Sequence, residues 1–221
     1  MADTRFLFST PFVIDRLQSP EGIKALRDVV LAEKERDPGV QISNLGGWHS
    51  QTNMIDWGGE AARALAYKAM TMADGAMLNV GAQEGREYDW VPQMWANVST
   101  HGNANQYHTH PGSYWSAVAY IDDGYAGASD AGLGGELQLL DPRMPMVRMT
   151  SLDLRLKDID GREQKNEPTV RPQTGLIVMF PSWLQHAVRP FYGSGTRISI
   201  AINLVPALKS PASQTQPATG S

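Results

Sequence analysis

The sequence predicts an α+β domain in which helices come first and an antiparallel double-sheet β-sandwich or jelly roll follows. Three observations predict it. Helical periodicity is confined to residues 15–85. From Tyr88 onward every candidate element reads as a strand. Those strands are short, separated by turn residues, and never alternate with helices as a parallel sheet requires. The helices are expected to cover the outer face of one sheet.

Residues 6–14 read as an extended segment interrupted by Pro11, hence an edge strand, where a missing N–H is tolerated. Ser19-Pro20-Glu21 opens a helix with a cap, a proline at the first helical position and an acid in the first turn. Ile23, Leu26, Val30 and Leu31 then recur at helical spacing to Arg36, and Asp37-Pro38-Gly39 stops it. Residues 43–50 carry Gly46-Gly47 and read as a loop with Trp48 tucked into the core; such a loop is also placed to line a site. Residues 59–83 predict the longest helix, with an apolar stripe of Ala61, Leu65, Ala69, Met72 and Met77 whose methionines read as core packing.

Residues 88–99 turn β-like, with Trp95 and Asn97 on the face opposite Met94 and Val98. Residues 113–121 are rich in β-branched and aromatic side chains. Gly134-Gly135 leads into a short strand ending at Leu140, and residues 175–180 form an apolar strand bounded by glycine. Between them, Leu152, Leu154 and Leu156 alternate with Asp153 and Arg155 ahead of a turn at residues 158–161, which predicts one arm of a hairpin. The whole stretch 141–170 is expected to lie over the mouth of the sandwich. Residues 181–186 form a turn ending at His186, and residues 196–203 the last strand. One domain is expected over 1–209, helical over about 15–85 and β over about 88–205, with a disordered tail at 210–221 that has no aromatic residue.

Composition narrows the function. Of 221 residues, 42% are hydrophobic and 19% charged, as in a folded domain. Nineteen basic against 23 acidic residues leave a formal charge of −4, and no basic stripe interleaves with aromatics, so no nucleic acid is expected. No apolar run is long enough to span a membrane, and the N-terminus lacks a basic-then-apolar leader pattern. A cytoplasmic location is therefore expected. The absence of cysteine removes disulfides, thiolate metal sites and a cysteine nucleophile. A homodimer is compatible with the sequence, which specifies no oligomeric state.

Chemistry concentrates in the C-terminal half. In Tyr107-His108-Thr109-His110-Pro111, two histidines stand two apart. On extended backbone they project from one face and can bind one metal ion, with His186 as a distant third ligand. In the last strand Arg197, Ser199, Ala201 and Asn203 share one face, and Ile198, Ile200 and Ile202 the other. If the isoleucines lie under the helices and the other face points into a barrel, Arg197 is buried there and its guanidinium needs an anion; on a surface strand Arg197 would instead stand in water.

In order and spacing these residues resemble the iron(II)/2-oxoglutarate-dependent dioxygenases, over about Trp95 to Asn203. Ser43-Asn44-Leu45-Gly46-Gly47-Trp48, His108-Thr109-His110-Pro111, Asp141-Pro142-Arg143 and Phe180-Pro181-Ser182-Trp183-Leu184-Gln185-His186 are similar to stretches of one 2-oxoglutarate–iron(II) oxygenase family within that class. The resemblance implies a double-stranded β-helix, a jelly-roll or cupin-like barrel. It implies Fe(II) held by His108, His110 and His186, and 2-oxoglutarate whose remote carboxylate is held by Arg197 and Ser199. It also implies oxidative decarboxylation to succinate and CO2 coupled to hydroxylation of a small-molecule or peptide substrate. The departure is His110, which stands where the wider class has a carboxylate ligand. Glu136 is the alternative third ligand. Trp48, Trp115 and Trp183 are candidates to wall the pocket, or plain core aromatics. Two other readings stay open: a cupin-type three-histidine metal dioxygenase, and a non-catalytic jelly roll that binds a metal or small molecule.

Overall fold

A computed structural model describes residues 4–144 and 153–209. The tail at 210–221, and Leu152 of the expected hairpin arm, lie outside the described residues.

The chain opens with strand β1 (Val13–Arg16) and helix α1 (Pro20–Arg36). Ser19 caps α1 as the sequence predicts, its hydroxyl accepting from the Gly22 N–H at 2.9 Å. Two short strands, β2 (Asn44–Leu45) and β3 (Trp48–His49), flank the glycine pair, followed by α2 (Met54–Trp57) and α3 (Gly59–Gly75). Then come β4 (Tyr88–Ser99), β5 (Ala104–His108), β6 (Trp115–Asp122), β7 (Leu137–Leu139), β8 (Thr169–Val170), β9 (Leu176–Pro181), β10 (His186–Val188) and β11 (Arg197–Leu208).

The strands form two antiparallel sheets, ordered β1-β9-β6-β11-β4-β3 and β2-β5-β10-β7-β8. Strict alternation on the six-stranded sheet creates two cores. Met94, Ala96, Val98, Ile177, Met179, Ile198, Ile200 and Ile202 face outward and pack with Leu26, Val30, Leu65, Ala69 and Met72 of the helices. Each fully buried isoleucine contributes about 1.5–3 kcal/mol of transfer free energy. Tyr120, Val178 and Phe180 face inward and meet Leu137 and Leu139 of the second sheet. The sheets thus pack face to face with the helices on one of them, as the sequence predicts.

Four local expectations are corrected. The edge strand lies at Val13–Arg16 rather than 6–14, because pairing with β9 begins at Val13↔Met179, beyond Pro11. The 43–50 loop is instead two strands: Gly46 and Gly47, both at φ 70°, switch the chain from the second sheet into the first. At that φ a Cβ on Gly46 would be strained and would run into the Asn103 side-chain amide. Helix α3 ends at Gly75 instead of residue 83. The Asn79 side chain accepts from the Gly81 N–H and donates to the Arg86 carbonyl, diverting the backbone into a 3₁₀ turn at Ala82–Glu84. Met77 therefore leaves the helical stripe and accepts from the Trp115 indole N–H. The expected hairpin contracts to a bridge, Lys157↔Glu163, around the turn at Asp158, with Leu154 and Leu156 exposed.

Candidate active site

The histidines meet because of strand register. β5 ends at His108, β10 begins at His186, and the two residues are direct cross-strand partners. His110 lies just beyond β5, not on it, pinned by its N–H to the Ser182 carbonyl at 3.0 Å. Ring centroids stand 4.4 Å apart for His108–His186, 4.9 Å for His108–His110 and 5.0 Å for His110–His186. One ligand atom from each ring lies within 4.8 Å of the others. His110 Nε2 and His186 Nε2 are 3.2 Å apart. Nitrogens that share one metal at about 2.1 Å sit about 3 Å from each other.

Local hydrogen bonds set the tautomers. His108 Nδ1–H donates to the Gln106 carbonyl at 2.7 Å, and His186 Nδ1–H to the Leu184 carbonyl at 2.8 Å. Each bond leaves Nε2 as a bare lone pair, the form a metal needs. His110 is held differently. Its ring packs on Trp95 at 5.4 Å, and Trp95 is stacked on the buried His49 at 5.7 Å. Three neutral imidazoles with converging ring nitrogens fit a divalent transition metal.

Burial keeps them neutral. It lowers the pKa of His108, lowers His186 to about 4 and lowers His110 to about 3, with the neighbouring imidazoles adding to the last two shifts. The unfolded chain takes up these protons near pH 6.5, whereas the folded one refuses them until about pH 4 and 3. The associated stability is complete above about pH 6.5 and is lost as pH falls toward the folded values. Denaturant unfolding of metal-free protein should therefore show stability falling from pH 7 to 4.5. His110→Gln should flatten that slope, by at most about 1.4 kcal/mol per pH unit. An unchanged slope would contradict the burial of His110 as a neutral ring.

The second feature is Arg197, at the start of β11 and only 1% exposed. Its Nη1 donates to Ser199 Oγ at 3.2 Å. Among the described residues, Arg197 Nε and Nη2 and the Tyr120 hydroxyl are buried with no hydrogen-bond partner. Tyr120 faces Ser199 across the β6–β11 ladder, which puts its ring 5.4 Å from the guanidinium carbon. Burial depresses the Arg197 pKa, and burial raises Tyr120 to about 12, so the pair presents one cation and one neutral O–H. A buried cation with two idle donors costs several kcal/mol unless an anion joins it. The donor set fits a carboxylate. A narrow cavity of about 50 Å³ is lined both by this group and by the three histidines.

The alternative ligand Glu136 is not with the histidines. His186 pairs with Leu139 and Val188 with Leu137, so Glu136, just before β7, lies three residues, about 10 Å, from Leu139. There it is buried, with Oε2 3.9 Å from Arg189 and its charge felt by Arg197. The expected tryptophan walls are also corrected. Trp48 and Trp115 belong to the core under the helices and Trp183 is 54% exposed. Trp95 lines the cavity instead. Sequence reasoning missed Trp95 and Tyr120 as site residues, although the alternation around Met94 and Val118 was their signal. None of the described residues of 141–170 lines this cavity.

A likeness in three dimensions bears out the fold. The chain resembles a Trichoplax adhaerens prolyl hydroxylase solved with a hypoxia inducible factor peptide fragment: TM-score 0.60, 13% identity, 88% of this chain and 83% of that one. A Pseudomonas putida prolyl-4-hydroxylase gives TM-score 0.55 at 16% identity, over 89% and 93%. HygX from Streptomyces hygroscopicus, solved with nickel and 2-oxoglutarate bound, gives 0.55 at 13%, over 90% and 83%. At such identities these neighbours speak to the double-stranded β-helix fold and not to substrate. No curated protein matches the chain in sequence. The family model "Putative 2OG-Fe(II) oxygenase" matches residues 93–203, the span that holds all three histidines, Arg197 and Ser199. The chain belongs to this family of 2-oxoglutarate- and Fe(II)-dependent oxygenases.

Proposed function

We propose that the chain works as a non-haem iron(II)/2-oxoglutarate dioxygenase in which His108, His110 and His186 hold the iron. Arg197, with Ser199 and Tyr120, grips the remote carboxylate of 2-oxoglutarate. The observation that carries the assignment is one cavity lined by a converging histidine trio and by a fully buried guanidinium with idle donors. When bound, iron(II) and 2-oxoglutarate supply the oxidising chemistry: dioxygen converts 2-oxoglutarate to succinate and CO2, and the substrate gains a hydroxyl group.

The chain's own residues do the rest. The carbonyl bonds of His108 and His186 fix their rings, and Trp95 fixes His110. Arg197 offers Nε and Nη2 as a planar fork, which orients a carboxylate and leaves the opposite end of the molecule toward the histidines. Val118, Leu137 and Phe180 line the cavity and exclude water. A cupin-type three-histidine enzyme would share the metal trio but has no use for Arg197. The reading takes the substrate to be a peptide or a small molecule.

The test is anaerobic. With Mn(II) present, 2-oxoglutarate should raise the melting temperature by several degrees, as a ligand specific to the native state must. Exchange to Fe(II) and admission of oxygen should then yield succinate. A protein that binds metal but shows no thermal response to 2-oxoglutarate would favour the cupin-type reading.

A further inference from the structure

A second cavity of about 330 Å³ opens on the far side of the histidines. It shares Ser43, Trp95, His108, His110 and Asn203 with the first, whereas Arg197, Ser199 and Tyr120 line only the first. His108 and His110 thus stand in the wall between the two. The volume is that of a small-molecule site. Its floor is buried, and its rim is made of exposed Ile42, Thr52, Gln93, Gln106, Tyr107 and Thr109. The cleft is therefore open enough to receive one group of a larger molecule.

Its lining is chemically selective. No lysine, arginine, aspartate or glutamate borders it among the described residues. His49, on the floor, donates Nδ1–H to the Ser50 carbonyl at 2.6 Å, and its burial favours the neutral ring. Four rim side chains are amides or aliphatic hydroxyls, each both donor and acceptor. The two charges of a histidine-held metal are balanced by the two carboxylates of 2-oxoglutarate, so a carboxylate, phosphate or ammonium brought here would lose water without gaining a counter-charge, at a cost of kilocalories.

We propose that this cleft is the substrate site and that the group it accepts is uncharged and rich in hydroxyl or amide functions, read by Gln93 and Gln106. The proposal rests on the histidines being the metal ligands, since that places the cleft against the reacting centre. A cleft that satisfies donors and acceptors in pairs rejects analogues that leave them unmet.

The test uses paired probes in saturation-transfer NMR on the full chain without added metal. N-acetyl amino-acid methylamides are compared with the matching free amino acids, nucleosides with their 5′-monophosphates, and methyl glycosides with sugar phosphates. At least one uncharged probe should bind saturably, with its charged counterpart at least tenfold weaker. Gln93→Glu, at an exposed position that leaves the fold intact, should weaken the bound probe about tenfold. Charged members binding as well as uncharged ones, or no saturable binding by any uncharged member, overturns the proposal. Adding Mn(II) then tests the metal reading separately. Broadening of the bound probe places it beside a histidine-held ion. Selective binding without broadening keeps the cleft assignment and removes the histidines as ligands.

Discussion

Arg197→Met should abolish 2-oxoglutarate binding, lowering affinity at least 100-fold, while Mn(II) affinity stays within about twofold. The first effect follows from losing the only buried cation that lines the cavity, together with two donors that the protein itself leaves idle. Metal binding is spared because the histidines are held by carbonyls and by Trp95, not by Arg197. Stability gives a second, opposite readout. Removing one partner of a close ion pair is strongly destabilising, but among the described residues Arg197 makes no ion pair and feels Glu136 only at longer range, so removing this buried cation is relieving. The ligand-free variant should therefore melt at or above wild type, and the 2-oxoglutarate-induced rise should vanish. Arg197→Lys should rescue poorly, since an ammonium on a flexible stem does not present a planar fork. A marked drop in melting temperature with retained 2-oxoglutarate affinity would make Arg197 a structural residue and end its role as a carboxylate anchor.

The residues that proved legible in the sequence are those governed by alternation. The Ile198, Ile200 and Ile202 face needed a cover, which forced Arg197 and Ser199 to the inside. What alternation leaves open is register between strands distant in the chain. Nothing local distinguishes Glu136 from His110 as a partner of His186. The pairing His186↔Leu139 decides it, and that pairing is a tertiary quantity. The end of α3 was missed for a different reason. Asn79 uses its side chain to bond its neighbours' backbone, an option hidden from a helical apolar stripe. Which tryptophan faces the site was equally hidden: Trp48 and Trp115 also sit on strands, but on the parity that meets the helices. The substrate-side cleft draws on three separate segments, 42–52, 93–95 and 106–110, together with Asn203, and no single motif announces it.

Replacing His110 should have the largest effect on the metal and separates the ligand assignments most sharply. His110→Ala removes a nitrogen 3.2 Å from His186 Nε2 and should weaken Fe(II) binding by at least tenfold, about 1.4 kcal/mol. Glu136→Gln should leave Fe(II) affinity unchanged, because Glu136 lies three positions along the chain from Leu139, the partner of His186. His110→Asp is the informative intermediate. It returns one negative charge to the metal and restores the two-histidine, one-carboxylate set common in non-haem iron sites. The aspartate is shorter, however, and loses the packing on Trp95 that holds the imidazole. The charge gain and the lost reach oppose each other, so Asp should bind Fe(II) more tightly than Ala and close to wild type. The same variants carry an internal control: His110→Ala, like His110→Gln, should flatten the fall in metal-free stability below pH 6.5, since the residue that resists protonation down to about pH 3 is gone. Anaerobic Fe(II) titrations of the three variants would decide. Equal affinity in all three would mean that neither His110 nor Glu136 is a ligand, leaving His108 and His186 as a two-point site and favouring a binding module over an oxygenase centre.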